Sequence, residues 1–185
     1  DTAALENINI FQNMIISRGK VMTVYFDMDR VLVDFAAQAE KYKILKRNQR
    51  VNWVKVFLYG EKFWSQMNFL YFADYYFRMI SMYCAERNIS VKILSSVRLK
   101  SGKKGKLNWC RKNLNLEKKD IILVKAAKNK YRYAEANSIL IDDSIENVEC
   151  FEAAGGNAFK FEKWNEITFN EICRKIDYVY ERNRN

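Results

Sequence analysis

The feature that most restricts how this chain can fold is a rhythm of short apolar runs separated by helical stretches. Val21 to Phe26 is the first run, β-branched and aromatic with little charge. Val91–Leu94, Ile121–Val124, Ile139–Ile141 and Ala158–Phe161 follow, all of strand length. Between them lie a lysine-rich helical stretch around Leu107, Cys110 and Leu114, and another around Val148 and Phe151. Gly155-Gly156 ends the latter as a C-cap would. A last helix is expected to open on a capping box, Thr168 with Glu171, and to bury Phe169, Ile172, Ile176 and Val179. Strands alternating with helices predict an α/β fold: a Rossmann-like parallel sheet flanked by helices. Ligands of such sheets bind beyond the carboxyl ends of the strands.

One segment breaks the rhythm. Residues 35–88 read as helical throughout, punctuated by Gly60, with apolar stripes Phe63, Met67, Leu70 and Ala73, Phe77, Ile80, Cys84. The expected organisation is an α/β core of residues 21–34 and 89–185, with 35–88 inserted after the first strand as a small helical cap and its return helix. Residues 1–20 form an N-terminal extension in which Leu5, Ile8, Phe11 and Ile15 recur at helical spacing. Met22, just before the first strand residues proper, is where a natural start could lie.

Composition narrows the chemistry. The 185 residues contain no histidine, which removes Ser-His-Asp and Cys-His mechanisms and the commonest transition-metal ligand. Acid–base work must then fall to carboxylates, lysines, tyrosines or cysteines, and a metal would be a hard cation held by oxygen. The four cysteines, Cys84, Cys110, Cys150 and Cys173, form no CxxC pair and read as buried free thiols in a reducing, cytoplasmic setting. The stretch Phe69 to Ala85 is interrupted by Asp74 and Arg78, so no membrane partner is expected. A formal charge of +10 favours anionic partners: a phosphorylated small molecule, or nucleic acid.

The polar residues at the strand ends give that charge a focus. Asp27 and Asp29 follow the first strand, Ser95 and Ser96 the second, the lysine-bearing loop Lys125 to Arg132 the third, and Asp142 and Asp143 the fourth. Taken singly, each has an ordinary reading as a turn, a loop, solvated surface or a helix cap. Together, at four successive strand ends, they define a site. Two facing acidic pairs need neutralising, which Mg²⁺ bound by oxygens would do. The ion and a lysine could hold a phosphoryl group, one carboxylate could attack it, and a second could serve as acid and then base.

These residues resemble a known family. The run VYFDMDRVLVDF (24–35) resembles the first motif of haloacid dehalogenase-like (HAD) phosphatases, VKILSS (91–96) the second, KNKYRYA (128–134) the third, and SILIDDSIENVECFEAAGG (138–156) the fourth. Within that superfamily the chain is most similar to the 5′(3′)-deoxyribonucleotidase group and its phage and bacterial relatives. The resemblance implies a Mg²⁺-dependent phosphomonoester hydrolase working through an aspartyl-phosphate. Asp27 would be the nucleophile and Asp29 the general acid and base. Ser95 and Ser96 would bind phosphate with Lys130, for which Lys128 is the alternative. The metal would be held by Asp27, the Asp29 carbonyl and Asp142, with Asp143 as second choice. One departure is Arg30, where the family usually has glycine.

The substrate reading is a nucleotide. Phe35 is the first candidate to stack on a base, and Arg30 and Arg98 are candidate substrate contacts. Lys41, Lys43, Lys46, Arg47, Arg50 and Lys55 in the insertion, and nine Lys or Arg between Arg98 and Lys119, make a basic rim. Two alternatives stand beside the nucleotidase: the same chemistry on a nucleic-acid end or a sugar phosphate, and a catalytically weak binding module that keeps the fold.

Overall fold

A computed structural model describes residues 21–183. The expected N-terminal helix and the extension at residues 1–20 lie outside the described residues. Five parallel strands form one sheet in the order β3-β2-β1-β4-β5. They are β1 (Thr23–Phe26), β2 (Ser90–Ser96), β3 (Ile121–Val124), β4 (Ser138–Asp142) and β5 (Asn157–Lys160). Each falls on an expected apolar run, shifted by at most two residues at an end.

Seven α-helices accompany them among the described residues: α1 (Phe35–Lys41), α2 (Trp53–Tyr59), α3 (Glu61–Ser65), α4 (Ala73–Ala85), α5 (Lys100–Leu114), α6 (Ile145–Ala153) and α7 (Glu166–Arg182). Strand alternation sorts the core into two layers. Val24, Phe26, Ile93, Ile139 and Ile141 face α4, α5 and α7, while Tyr25, Leu94, Val124 and Leu140 face Val148 and Phe151 of α6. The predicted stripes on α4 (Ala73, Phe77, Ile80, Cys84) and α7 (Ile172, Ile176, Val179) are buried. Gly155 takes a φ of 91°, the left-handed turn that closes α6. No helix among the described residues is long and apolar enough to cross a membrane.

Two expectations need correction. Residues 35–88 are not helical throughout. Residues 42–52 form a hairpin-like turn, with Leu45 bridged to Val51 and the Asn52 N–H donating to Ile44 O at 2.7 Å. Lys43 and Gln49 take positive φ there, which no helix accommodates, and residues 66–72 are irregular as well, with Phe72 left-handed. Met67 therefore packs from a loop, not from a helical stripe. Helix α7 also starts before the expected capping box: Asn165 is the N-cap, its side chain accepting from the Thr168 N–H at 2.8 Å. An Asn satisfies the first-turn donors as well as Thr does.

The strand order fixes where a ligand can bind. β1 is central, the chain runs outward to β2 and β3, then crosses to β4 on the other side of β1. The crevice at the carboxyl ends of β1, β2 and β4 is the switch point at which α/β sheets hold ligands.

Candidate active site

Asp27 leaves β1 with its N–H still in the ladder, donating to Ile141 O at 2.9 Å. The chain then folds tightly. The N–H groups of Leu32 and Val33 both donate to Met28 O, and that of Arg30 to Val33 O at 3.0 Å. Met28, Val31, Leu32 and Val33 are fully buried, so the loop is anchored by its apolar side chains. Arg30 takes a φ of 62°. This is the left-handed conformation that glycine adopts freely and arginine at a cost of about 1–2 kcal/mol. The guanidinium points outward, 70% exposed, and lies 3.8 Å from Asp143.

Of Lys128 and Lys130, Lys130 is the one that lies against the acids. It sits in the 3₁₀ segment after β3, is 2% exposed, and lies 2.8 Å from Asp27 Oδ1 and 2.6 Å from Asp142 Oδ2. Lys128 is exposed. Asp142 is fully buried. Its Oδ1 accepts from the Ser144 N–H at 2.9 Å and from Asn147 Nδ2 at 3.0 Å. The carboxylate oxygens of Asp27, Asp142 and Asp143 lie within 4.8 Å of one another, a donor set suited to a hard divalent cation.

The electrostatics follow from this crowding. Burial works to raise the Asp27 pKa, but the charges of Lys130 and then Lys106 bring it below the ordinary carboxylate value. Burial raises Asp142, and the Asp27 charge adds to the effect. Asp143 is raised by burial and by the charges of Asp27 and Asp142. Burial opposes the charged form of Lys130, yet its two carboxylate partners lift its pKa above the usual lysine value. Asp27 is thus kept ionised, whereas burial and the neighbouring carboxylates disfavour the charged forms of Asp142 and Asp143.

A cavity of about 350 Å³ opens over this floor. Asp27, Asp29, Lys130, Asp143 and Asn147 line its base, and Arg30, Phe35, Ser96 and Arg98 its wall. Phe35 is half-buried and meets Phe63 edge-on at 5.9 Å, so only part of its ring faces the cavity. Of the two serines, Ser96 lines the cavity while Ser95 is fully buried behind it.

Sequence reasoning missed Lys106, counting it with the rim lysines. It is fully buried. Its Nζ donates to Asp29 Oδ2 at 2.6 Å, to Ser95 Oγ at 3.0 Å and to Ser96 O at 3.0 Å. The signal was spacing: Gly102, Lys106, Cys110 and Leu114 recur every fourth residue along the buried side of α5. The other oxygen of Asp29, Oδ1, is buried without a hydrogen-bond partner. Asn147, which also lines the cavity, was not singled out either.

No family model and no curated protein matches this chain. Solved structures do. One is the HAD-hydrolase YfnB from Bacillus subtilis bound to magnesium, 13% identical, covering 86% of this chain and 100% of that one with a TM-score of 0.54. Two others score lower. The HAD family enzyme bt-2542 from Bacteroides thetaiotaomicron, in complex with magnesium and inorganic phosphate, is 14% identical over 80% of this chain and 97% of that one, TM-score 0.48. A Had-superfamily hydrolase from Ehrlichia chaffeensis is 16% identical over 87% and 99%, TM-score 0.46. The fold of this chain is HAD-like: a five-stranded parallel sheet flanked by helices.

Proposed function

We propose that this protein is a Mg²⁺-dependent phosphomonoester hydrolase acting through an aspartyl-phosphate, with nucleoside monophosphates as its small substrates, in the manner of a 5′(3′)-deoxyribonucleotidase. One observation carries the reading. Asp27 is buried and ionised against Lys130 at the floor of a cavity, and Asp29, two residues on, has one oxygen on Lys106 and one without a partner.

The donor set fits the metal. Asp27, Asp142 and Asp143 would hold Mg²⁺, with the Asp29 carbonyl as a further oxygen, and the first two are already buried. The bound ion would supply charge neutralisation that lets an anionic phosphoryl group approach an anionic nucleophile. The chain's own groups do the rest. Lys130 neutralises the phosphoryl oxygens, and Ser96, at the cavity wall, donates to one of them. Asp27 attacks phosphorus as the bond to the leaving oxygen breaks, and Asp29 gives that oxygen its proton. Asp29, now a carboxylate, takes a proton from a water whose oxygen attacks the same phosphorus. The aspartyl bond breaks, and phosphate and free Asp27 are restored. Lys106 fixes Asp29 in place for both transfers.

The nucleotide assignment rests on the cavity wall. Its volume lies in the range of small-ligand sites, and Phe35 and Trp53 offer aromatic surface beside Arg98. Phosphate release from nucleoside monophosphates and p-nitrophenyl phosphate, with Mg²⁺ and with EDTA, tests it. Turnover that requires metal and falls about a thousandfold or more in Asp27→Asn is expected. Turnover that survives EDTA or this substitution would exclude the mechanism.

A further inference from the structure

The mouth of the cavity carries more positive charge than one phosphate can use. Resting on the reading above, a mononucleotide brings a single phosphate, which Lys130 and the metal ligands meet at the cavity floor. Outside lies a second set of cations. Arg98 is an exposed wall residue, and Lys100 and Lys128, also exposed, each adjoin a wall residue, Leu99 and Ala127. On the insertion, Val51 belongs to the cavity wall and closes the turn whose tip carries Lys46, Arg47 and Arg50. The turn is well formed, with the Lys46 N–H donating to Arg50 O and the Gln49 N–H to Lys46 O, both at 2.9 Å. Its five tip residues, 46–50, are all exposed.

None of these six cations forms an ion pair among the described residues. This is unlike Lys104, held by Glu61 at 2.8 Å, or Arg78, held by Asp74 at 2.8 Å. No acidic residue occurs between Lys41 and Gly60. Unpaired like charges on and next to the cavity wall attract an extended anion. Aromatic surface accompanies the charge. Trp53, in the cavity wall, and Phe57, one turn further along α2, are 46% and 63% exposed. Stacking faces interleaved with cations along a path suit unpaired bases on a phosphate backbone.

We propose that the site also takes the phosphorylated end of a single-stranded nucleic acid. The terminal phosphate enters the cavity, the next phosphates cross Lys46, Arg47, Arg50 and the Arg98 side of the mouth, and a base near the end stacks on Trp53. The chemistry is the hydrolysis already described, with the strand's terminal hydroxyl as leaving group. A 5′-phosphate and a 3′-phosphate are the two forms of this ligand.

The test compares phosphate release from eight-residue oligothymidylates bearing a 5′- or a 3′-phosphate with release from dTMP, a thymidine 3′,5′-bisphosphate and p-nitrophenyl phosphate. Wild type and the triple variant Lys46→Glu, Arg47→Glu, Arg50→Glu are used across a salt series. One strand end is expected to exceed dTMP in kcat/KM by about tenfold or more at low salt. Its logarithm should fall with log salt at a slope that is shallower by about two in the triple variant, as three lost phosphate contacts require. Binding of a fluorescein-labelled phosphorylated strand to Asp27→Asn should weaken in step when the triple change is added. Strand ends turned over no faster than dTMP, an advantage that survives the triple variant, or the same advantage for the bisphosphate would each overturn the inference while leaving p-nitrophenyl phosphate turnover as evidence for the phosphatase. Absence of all turnover would remove the phosphatase reading instead, and the strand-binding measurement would then decide the surface alone.

Discussion

A lysine ammonium with no exposure to water is stable only where its three protons all find acceptors. Lys106 has them in Asp29, Ser95 and the Ser96 carbonyl, and the ring of Trp64 lies 5.1 Å from its Nζ. Lys106→Met keeps the length and removes the charge. Because Asp29 remains 29% exposed, the loss should stay below the cost of breaking a fully buried pair, at about 1–3 kcal/mol in urea unfolding. Turnover of p-nitrophenyl phosphate should fall by about tenfold or more, because Asp29 loses the bond that orients it. Unchanged turnover would show that Lys106 only fills space. Arg30 is the opposite case, a side chain that the site does not need at its floor. The backbone there holds the left-handed conformation with an arginine in place, and its side chain sits at the rim.

At the scale of elements, the contact between α3 and α5 governs the shape of the cavity. Gly105 lets the two helices meet at backbone distance, and Gly102 makes room for the Trp64 indole. A Cβ on Gly105 would stand 2.5 Å from Trp64 Cβ and 2.6 Å from Glu61 O. Glu61 also accepts from Asn108 Nδ2 at 2.6 Å and pairs with Lys104. Lys106 follows Gly105 directly, so any shift of α5 moves the group that holds Asp29. Gly105→Ala should therefore destabilise by about 1–3 kcal/mol in thermal unfolding, even though alanine favours helix, and should lower kcat more than it raises KM. Stabilisation would show that the helices are free to part. The strands and most helices were legible because their apolar residues follow one period each, as in Ile121–Val124 and in Ala73, Phe77, Ile80, Cys84. The turn at 42–52 was not, because positive φ at Lys43 and Gln49 has no residue signature of the kind glycine gives. The acids and Lys130 were legible as a set because parallel strands bring their carboxyl ends together. Lys106 was hidden because a charged residue counts against a buried face until its partners, far off in sequence, are known.

Over the whole molecule, the clustered acids link folding to metal and pH. Asp142 and Asp143 have raised values, so their contribution favours the folded state at low pH and is lost as pH rises through those values. Asp27 is lowered and acts in the opposite sense, its contribution being lost as pH falls through its folded value. Mg²⁺ binding to the folded state should raise Tm by RT ln(1 + [Mg²⁺]/Kd) worth of stability. The gain should grow as pH rises and Asp142 and Asp143 ionise, and should largely vanish in Asp142→Asn. A gain that is flat in pH, or kept in that variant, would place the ion elsewhere.

The central claim is that Asp27 itself carries the phosphoryl group, and the direct measurement is to trap it there. Asp29→Asn lacks the base that activates water, so it should accumulate the phosphorylated form when given p-nitrophenyl phosphate and Mg²⁺. Acid quenching followed by borohydride reduction converts an acyl phosphate to the alcohol, and peptide mass spectrometry locates the product. Homoserine at position 27, absent without substrate and absent when Asp27 is replaced by Asn, is the expected result. Turnover by the wild type with Asp27 unmodified in every quenched sample would contradict it, and would mean that water attacks the substrate directly.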